Sequence, residues 1–291
     1  MAVLNQGKWV QDETLTQIDS FPTQTEPQAG RYHLYISLAC PWANRANLVV
    51  QYLGLNEAIS VSSVEPKMVD GWAFSDDFPD ELNHTAFLRE IYTLAKPDFS
   101  GRVTVPVLWD KQNQTIASHD SASLALELAE KWLLLAKNPV ELVPTHLRTE
   151  ILALNDWLTP NVNRKVYNVG LFAKSQAEHD QHHRELFANL STLDQRLEKS
   201  RYLFGEQITL SDFFLFPTLA RFEAVYALHF KCNLRPLASF KNLYRYMLDL
   251  YALPAVKNTI DIPHIKTHYY YSHNQINPTR IIPTGPELDW V

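Results

Sequence analysis

Cysteine is nearly absent from this chain. Its 291 residues include two, Cys40 and Cys232, which excludes a disulfide framework as the basis of the fold. In a reducing compartment each cysteine matters as a reactive thiol or as a small buried apolar side chain. Long apolar runs are also missing, and no stretch of about 18 apolar residues suggests a membrane span. The opening residues MAVLNQGKWVQDETLTQ contain no apolar core of signal-peptide length. Cationic charge is in deficit, with 26 Lys and Arg against 32 Asp and Glu and a formal net charge of -6. That is not the balance of a nucleic-acid-binding surface. Repeats and low-complexity segments are absent. A soluble, cytoplasmic protein is expected, with no membrane or nucleic-acid partner, although the acidic balance leaves room for a local basic pocket.

What is present supports two domains. Hydrophobic residues make up 46% of the chain, and its length exceeds that of one average domain. Residues 1–30 are polar and rich in turn formers, and read as an extended arm. Tyr32 to Ser37 alternates as a strand does. Ala39-Cys40-Pro41-Trp42 follows, then the helical stretch ANRANLVVQYLGL, with Pro41 suited to a helix start and Gly54 to its stop. Ile59 to Val64 reads as a second strand and residues 65–100 as a long irregular loop, of the kind that is usually functional or an insertion. Val103 to Trp109 reads as a third strand, with Pro106 marking an edge, a bulge or a cis bond. Thr115 to Ser118 is a fourth strand, and a helix runs from Ser121 to Ala136. This order fits a thioredoxin-like domain over 31–137. After a Pro-marked linker, apolar spacing of three to four residues predicts an all-helical domain over 145–262. Thr209 to Asp212 has the form of a capping box. The tail, 263–291, shows no period, but HYYYSH is too aromatic for a free end.

Cys40 is the foremost candidate for chemistry. It lies where a strand gives way to a helix, and helix N-terminal amides and the macrodipole favour a thiolate there. The motif Cys-Pro-Trp-Ala has no second cysteine two residues on, so an external thiol must resolve any mixed disulfide. The bland alternative is a buried apolar Cys. A cis-Pro106 would turn the backbone of Val105 toward a peptide-like ligand. Asp120 and Ser121 open a helix, and read either as its cap or as a holder of the amino and carboxylate groups of a γ-glutamyl moiety. His179, His182 and His183 share a helix, but no acid–base or Cys partner is evident; they read as a solvated face, and no metal site is expected. Cys232 reads as structural. Arg221 and Arg235 suit carboxylate pairing or an interface equally. Tyr269, Tyr270 and Tyr271 are either packing or a phenol-binding wall.

The segments RYHLYISLACPWANR, GWAF, SGRVTVPVLWD, RFEAVYALHFKCN and HIKTHYYYSH…INPTRIIPTGP together resemble the glutathionyl-hydroquinone reductases, the Xi class of the glutathione transferases. The resemblance runs over nearly the whole chain. It implies an α/β plus all-α protein, with a thioredoxin-like N-terminal domain, an all-helical C-terminal domain and a tail packed near the active site. It implies a homodimer that uses glutathione to reduce glutathionyl-hydroquinones. Carried over by motif, Cys40 is the nucleophile and Trp72 packs on glutathione. Arg102 or a neighbouring base holds the anionic end, Val105 pairs with the peptide backbone, and Asp120 and Ser121 bind the γ-glutamyl end. Tyr167 and Tyr269 line the hydroquinone site as catalytic hydroxyls.

Two departures bear on these expectations. The family usually has Asn-Glu-Ser where this chain has His119-Asp120-Ser121, one methylene shorter at the acid. The arm and the loop around 65–100 are also compact by the family's measure, which bears on the site entrance. Three rivals stand beside the reductase reading. A thioltransferase or dehydroascorbate-type reductase would need Cys40 but not Tyr269. A conjugating transferase activates glutathione with a hydroxyl, and a thiol suits it poorly. A non-catalytic binder of aromatic ligands would not depend on Cys40.

Overall fold

The computed structural model describes residues 2–11, 15 and 18–291. The chain divides into two compact units, Met1–Val140 and Glu141–Val291.

The first unit is built on a sheet of four strands in the order β4-β3-β5-β6. These are β3 (Tyr32–Ile36), β4 (Ile59–Ser63), β5 (Val107–Asp110) and β6 (Thr115–Ser118), preceded by a separate hairpin of β1 (Val3–Asn5) and β2 (Lys8–Val10). β3 pairs parallel with β4 and antiparallel with β5, so Leu34 lies between Val61 and Leu108. All five residues of β3 are buried, as expected of a central strand covered on both faces. α1 (Pro41–Leu53) and α3 (Ser121–Lys131) pack on each other, and α2 (Leu88–Ala95) lies against β6. Pro41 occupies the first turn of α1, and Gly54 ends it at φ 67, a left-handed conformation that costs glycine little.

Several local expectations change. Residues expected as an extended arm include the β1–β2 hairpin. The strand expected over 103–109 begins only at Val107, because Pro106 has no N–H to give a ladder; the Val105–Pro106 bond is cis. The region expected to be irregular contains α2, where Glu90 accepts the Phe87 N–H at 3.1 Å and caps the helix. The helix expected to reach Ala136 stops at Lys131 and is followed by a 3-10 turn at Leu133–Leu135.

The second unit is all helical, with α4 (Arg148–Leu158), α5 (Lys165–Tyr167), α6 (Gln176–Arg196), α7 (Leu210–Ala220), α8 (Lys241–Tyr251), α9 (Pro254–Lys257) and α10 (Ile262–Ser272). Every residue of α7 is buried. Its capping box forms, with the Asp212 carboxylate accepting the Thr209 N–H at 2.7 Å, the Leu203 N–H at 3.0 Å and the Tyr246 hydroxyl at 3.0 Å. π-helical turns occur at Thr159–Asn163 and Asn168–Phe172, on either side of α5, and at Phe222–Tyr226 after α7. The tail expected to lack periodicity starts with α10, capped by Asp261, which accepts the His264 N–H at 2.8 Å. Beyond it, Lys266 Nζ donates to the carbonyls of Thr284 and Gly285 at 2.7 and 3.0 Å and ties the last residues back to the helix. Among the described residues no helix is long and apolar enough to cross a membrane.

Candidate active site

β3, β4 and β6 run one way and β5 runs the other. The ends at which β3, β4 and β6 finish and β5 starts therefore share one edge of the sheet. Cys40 follows β3, Trp72 follows β4, Arg102 and Val105 precede β5, and Asp120 and Ser121 follow β6. The segments that carry these residues therefore leave or enter the sheet at one end, the end at which open α/β sheets bind ligands.

Cys40 is the N-cap of α1, with φ -77 and ψ 116. Its sulfur accepts the Ala43 N–H at 3.5 Å, and its thiol faces the Val105 carbonyl at 3.9 Å. The side chain is half-buried. A sulfur at the N-cap meets the amide end of the helix and the positive end of its dipole, the setting in which an anion is accommodated. Pro41, which brings no N–H to that turn, is compatible with this use.

Val105 precedes the cis bond to Pro106 and is buried. The backbone just before it is held by Tyr92 of α2, which is fully buried. The Tyr92 hydroxyl donates to the Thr104 carbonyl at 2.9 Å and accepts the Thr104 N–H at 3.3 Å. His119 Nδ1 lies 3.5 Å from the same hydroxyl, and His119 Nε2 accepts the Phe21 N–H at 3.2 Å. These partners assign the proton to Nδ1, and burial lowers the His119 pKa, which keeps the ring neutral. One phenol thereby links the segment leading to Val105 with the residue just before Asp120.

Asp120 is exposed and acts as the N-cap of α3, its Oδ1 accepting the Ser123 N–H at 2.8 Å. Ser121 beside it is half-buried. Trp72 is half-buried, with its carbonyl accepting the Leu88 N–H at 3.0 Å, and Arg102 is exposed.

In the second unit the two tyrosines named from the sequence come together. Tyr167 and Tyr269 place their hydroxyls 2.6 Å apart, and a third phenol, Tyr226, bonds the Tyr269 hydroxyl at 3.0 Å. Tyr269 is 2% exposed and Tyr226 0%, whereas Tyr167 is half-buried. Burial, reinforced by the neighbouring phenols, pushes the Tyr269 pKa well above its ordinary value, while the charge of the buried Arg221 opposes that rise. Tyr167 and Tyr226 both lie in or against the π-helical turns, a local geometry common at functional sites. His229 and His273 stack nearby with ring nitrogens 3.3 Å apart, and burial lowers their pKa values to about 4 and about 3.

Tyr226 and Tyr92 carry no role in the sequence reading. The signal for Tyr226 was a lone phenol in the apolar run FFLFPTLARFEAVYAL, where a buried hydroxyl must find a partner. Cys232 is structural as expected: it is fully buried, its thiol donates to the Val166 carbonyl at 3.8 Å, and burial pushes its pKa up. Arg221 is buried and donates to the Pro217 carbonyl at 2.9 Å. Arg235 donates to Ser191 Oγ at 3.0 Å and lies 3.8 Å over the Phe240 ring. The three helix histidines are half-buried rather than fully solvated, because His179 stacks on His183, which meets Phe187. Among the described residues no group of three or more His, Cys, Asp or Glu side chains could hold a metal ion.

A strand–Cys-Pro–helix junction beside a cis-proline, followed by an all-helical unit, is the plan of a glutathione transferase. The family model "Glutathione S-transferase, N-terminal domain" matches residues 39–131, and "Glutathione S-transferase, C-terminal domain" matches residues 176–248. The chain is 44% identical over 264 residues to the glutathionyl-hydroquinone reductase YqjG of Escherichia coli (strain K12), covering 89% of this chain and 80% of that protein. The Xi-class glutathione transferase from Natrialba magadii superposes with a TM-score of 0.96 at 36% identity, covering 100% of this chain and 95% of that one. The glutathione-bound structure of YqjG superposes with a TM-score of 0.91 at 39% identity, covering 99% and 96%. The chain belongs to the Xi class of the glutathione transferases, the glutathionyl-hydroquinone reductase family, and is an enzyme of the oxidoreductase kind.

Proposed function

We propose that the protein binds glutathione and reduces glutathionyl-hydroquinones to hydroquinones through a mixed disulfide between Cys40 and glutathione. The observation that carries this reading is Cys40 as the N-cap of α1, with its sulfur on the Ala43 N–H and beside the carbonyl of Val105. In the first step the Cys40 thiolate attacks the thioether sulfur. The carbon–sulfur bond breaks, the ring carbon takes a proton, and hydroquinone leaves with Cys40 joined to glutathione. In the second step a free glutathione thiolate attacks that disulfide at the glutathionyl sulfur. Oxidised glutathione leaves and the Cys40 thiolate is restored. No resolving cysteine is needed, which agrees with Cys-Pro-Trp-Ala and with Cys232 being buried and protonated.

The backbone of Val105 is suited to pair with the peptide of glutathione. Trp72 offers a ring to pack on it and Arg102 a cation for its anionic end. Asp120 and Ser121, at the start of α3, suit the ammonium and carboxylate of the γ-glutamyl end, with one Asp120 oxygen already engaged by the cap. Tyr167 and Tyr269 serve the hydroquinone oxygens. Because Tyr269 stays neutral far above neutral pH, it acts as a hydrogen-bond donor rather than a base.

The phenol cluster favours this reading over a plain thioltransferase, whose substrates present no ring oxygen. The test is mass spectrometry after mixing with a glutathionyl-hydroquinone. One glutathione on Cys40, with free hydroquinone in solution, is the expected result. Hydroquinone formed at the wild-type rate by Cys40→Ala would rule the mechanism out.

A further inference from the structure

The N-terminal hairpin takes no part in the chemistry above, yet it is fastened to two of the segments that carry proposed glutathione contacts. On one side Leu4 and Gly101 exchange backbone hydrogen bonds of 2.9 and 2.8 Å, and the Gly7 N–H donates to the Phe99 carbonyl at 3.0 Å. The Gln6 N–H donates to Ser100 Oγ at 2.9 Å. These bonds fix residues 99–101, immediately before Arg102 and close to Val105. On the other side the Trp9 indole N–H donates to Asp70 Oδ1 at 2.7 Å. Arg89 lies over the rings of Trp9 and Phe87, at 5.1 and 3.6 Å from their centroids. It also donates to the Asp70 carbonyl at 2.6 Å and pairs with the Asp70 carboxylate at 3.3 Å. Trp9 covers Gly71 so closely that a Cβ there would sit 3.0 Å from its ring, and Gly71 has φ 84. The next residue is Trp72.

We propose that the β1–β2 hairpin is a positioning element of the glutathione site, with Trp9 as the residue that sets the Trp72 loop. This rests on the reading of Trp72 and of the Arg102–Val105 segment as glutathione contacts. The loop between β4 and α2 is held past Trp72 by backbone bonds from Leu88 to Trp72, Glu65 to Ala73 and Phe74 to Ala86, whereas Asp70 and Gly71 before it meet Trp9 and Arg89. A loop ordered only by its ligand loses conformational entropy at binding, and that loss weakens affinity. A hairpin that grips Asp70 and Gly71 at one end and residues 99–101 at the other orders both segments before the ligand arrives. Trp9 touches no substrate in this scheme and acts through Gly71 and Asp70.

The test is calorimetric titration of the full-length protein with S-methylglutathione, which has the peptide but cannot form a disulfide with Cys40. Trp9→Ala should raise Kd about fivefold, and Trp9→Phe, which keeps a ring but loses the N–H, about twofold. In a Trp72→Ala background, Trp9→Ala should add less than about twofold, because the two changes share one route. An unchanged Kd in Trp9→Ala overturns the proposal, as does the same loss with and without Trp72. If Trp9→Ala does not fold, the Trp9→Phe pair decides on the same terms. Failure of the unaltered protein to bind S-methylglutathione overturns the glutathione reading itself, a result distinct from the others.

Discussion

Replacing Tyr269 with Phe deletes one oxygen from the centre of the phenol cluster. That oxygen lies 2.6 Å from the Tyr167 hydroxyl and 3.0 Å from the Tyr226 hydroxyl. Two hydrogen bonds are lost, at about 1 kcal/mol each, so the unfolding free energy should fall by about 2 kcal/mol. The effect on hydroquinone formation should be larger. Burial keeps the Tyr269 proton in place far above neutral pH, so the phenol can donate to a ring oxygen as charge develops there. A preorganised donor of this kind is worth about 3 kcal/mol, or about 100-fold in rate. The assay compares kcat/KM on a glutathionyl-hydroquinone with kcat/KM on the mixed disulfide of glutathione and 2-mercaptoethanol. The disulfide needs Cys40 and the glutathione contacts but has no ring oxygen. The first value should drop about 100-fold while the second stays within about threefold of wild type. An equal loss on both substrates would mean that Tyr269 acts only through the fold, and the assignment of the phenols would be wrong.

Two further outcomes follow from groups that support the site. Tyr92→Phe removes the hydroxyl that bonds Thr104 and approaches His119; it should cost about 1–2 kcal/mol in urea unfolding and weaken S-methylglutathione binding, and unaltered binding would show that the hydroxyl serves stability alone. His33, on the strand that leads to Cys40, bonds Ser60 Oγ at 2.7 Å and Ser62 Oγ at 2.8 Å, and burial lowers its pKa from 6.5 to about 4. The unfolded chain then binds the proton more readily between these values, so stability should be lost as pH falls from about 6.5 to about 4, by up to about 3 kcal/mol. Denaturation curves at pH 7 and pH 4.5 check this: His33→Gln should flatten the dependence, and an unchanged slope would move the acid sensitivity to other histidines.

What was legible in the sequence is what neighbouring residues determine. The strand at Tyr32, the turn into α1 at Cys40-Pro41 and the stop at Gly54 are all written within a few residues, and the structure has each of them. The capping box at Thr209 and Asp212 is local in the same way. The illegible parts depend on distant partners. β1 and β2 have three residues each, and their hold on the fold comes through Gly101 and Asp70. α10 buries His264, Lys266 and His268 beside its tyrosines, so it has no apolar stripe to read. Tyr167, Tyr226 and Tyr269 lie on three separate elements, and no spacing rule could state that their hydroxyls meet. Resemblance named two of the three, and the third needed coordinates.

The choice of phenols over imidazoles in that cluster follows from burial. An acid or donor for the ring oxygens must hold its proton at neutral pH in a place that excludes water. Desolvation penalises the charged form, so it strips the proton from a histidine and secures it on a tyrosine. His229 and His273 illustrate the first case, with values lowered to about 4 and about 3, and Tyr269 the second. The two histidines sit close to the tyrosines but are neutral near pH 7, so neither is an acid there. Disulfide exchange at Cys40 makes no such demand, because its leaving group is already a stable thiolate. Breaking a carbon–sulfur bond to an aromatic ring does make it. On the proposed reading, the buried cluster of neutral phenols is what distinguishes the reductase from a simple thioltransferase, and pH is a second way to separate them. Hydroquinone formation should persist up to pH values at which an imidazole acid would long since have been deprotonated.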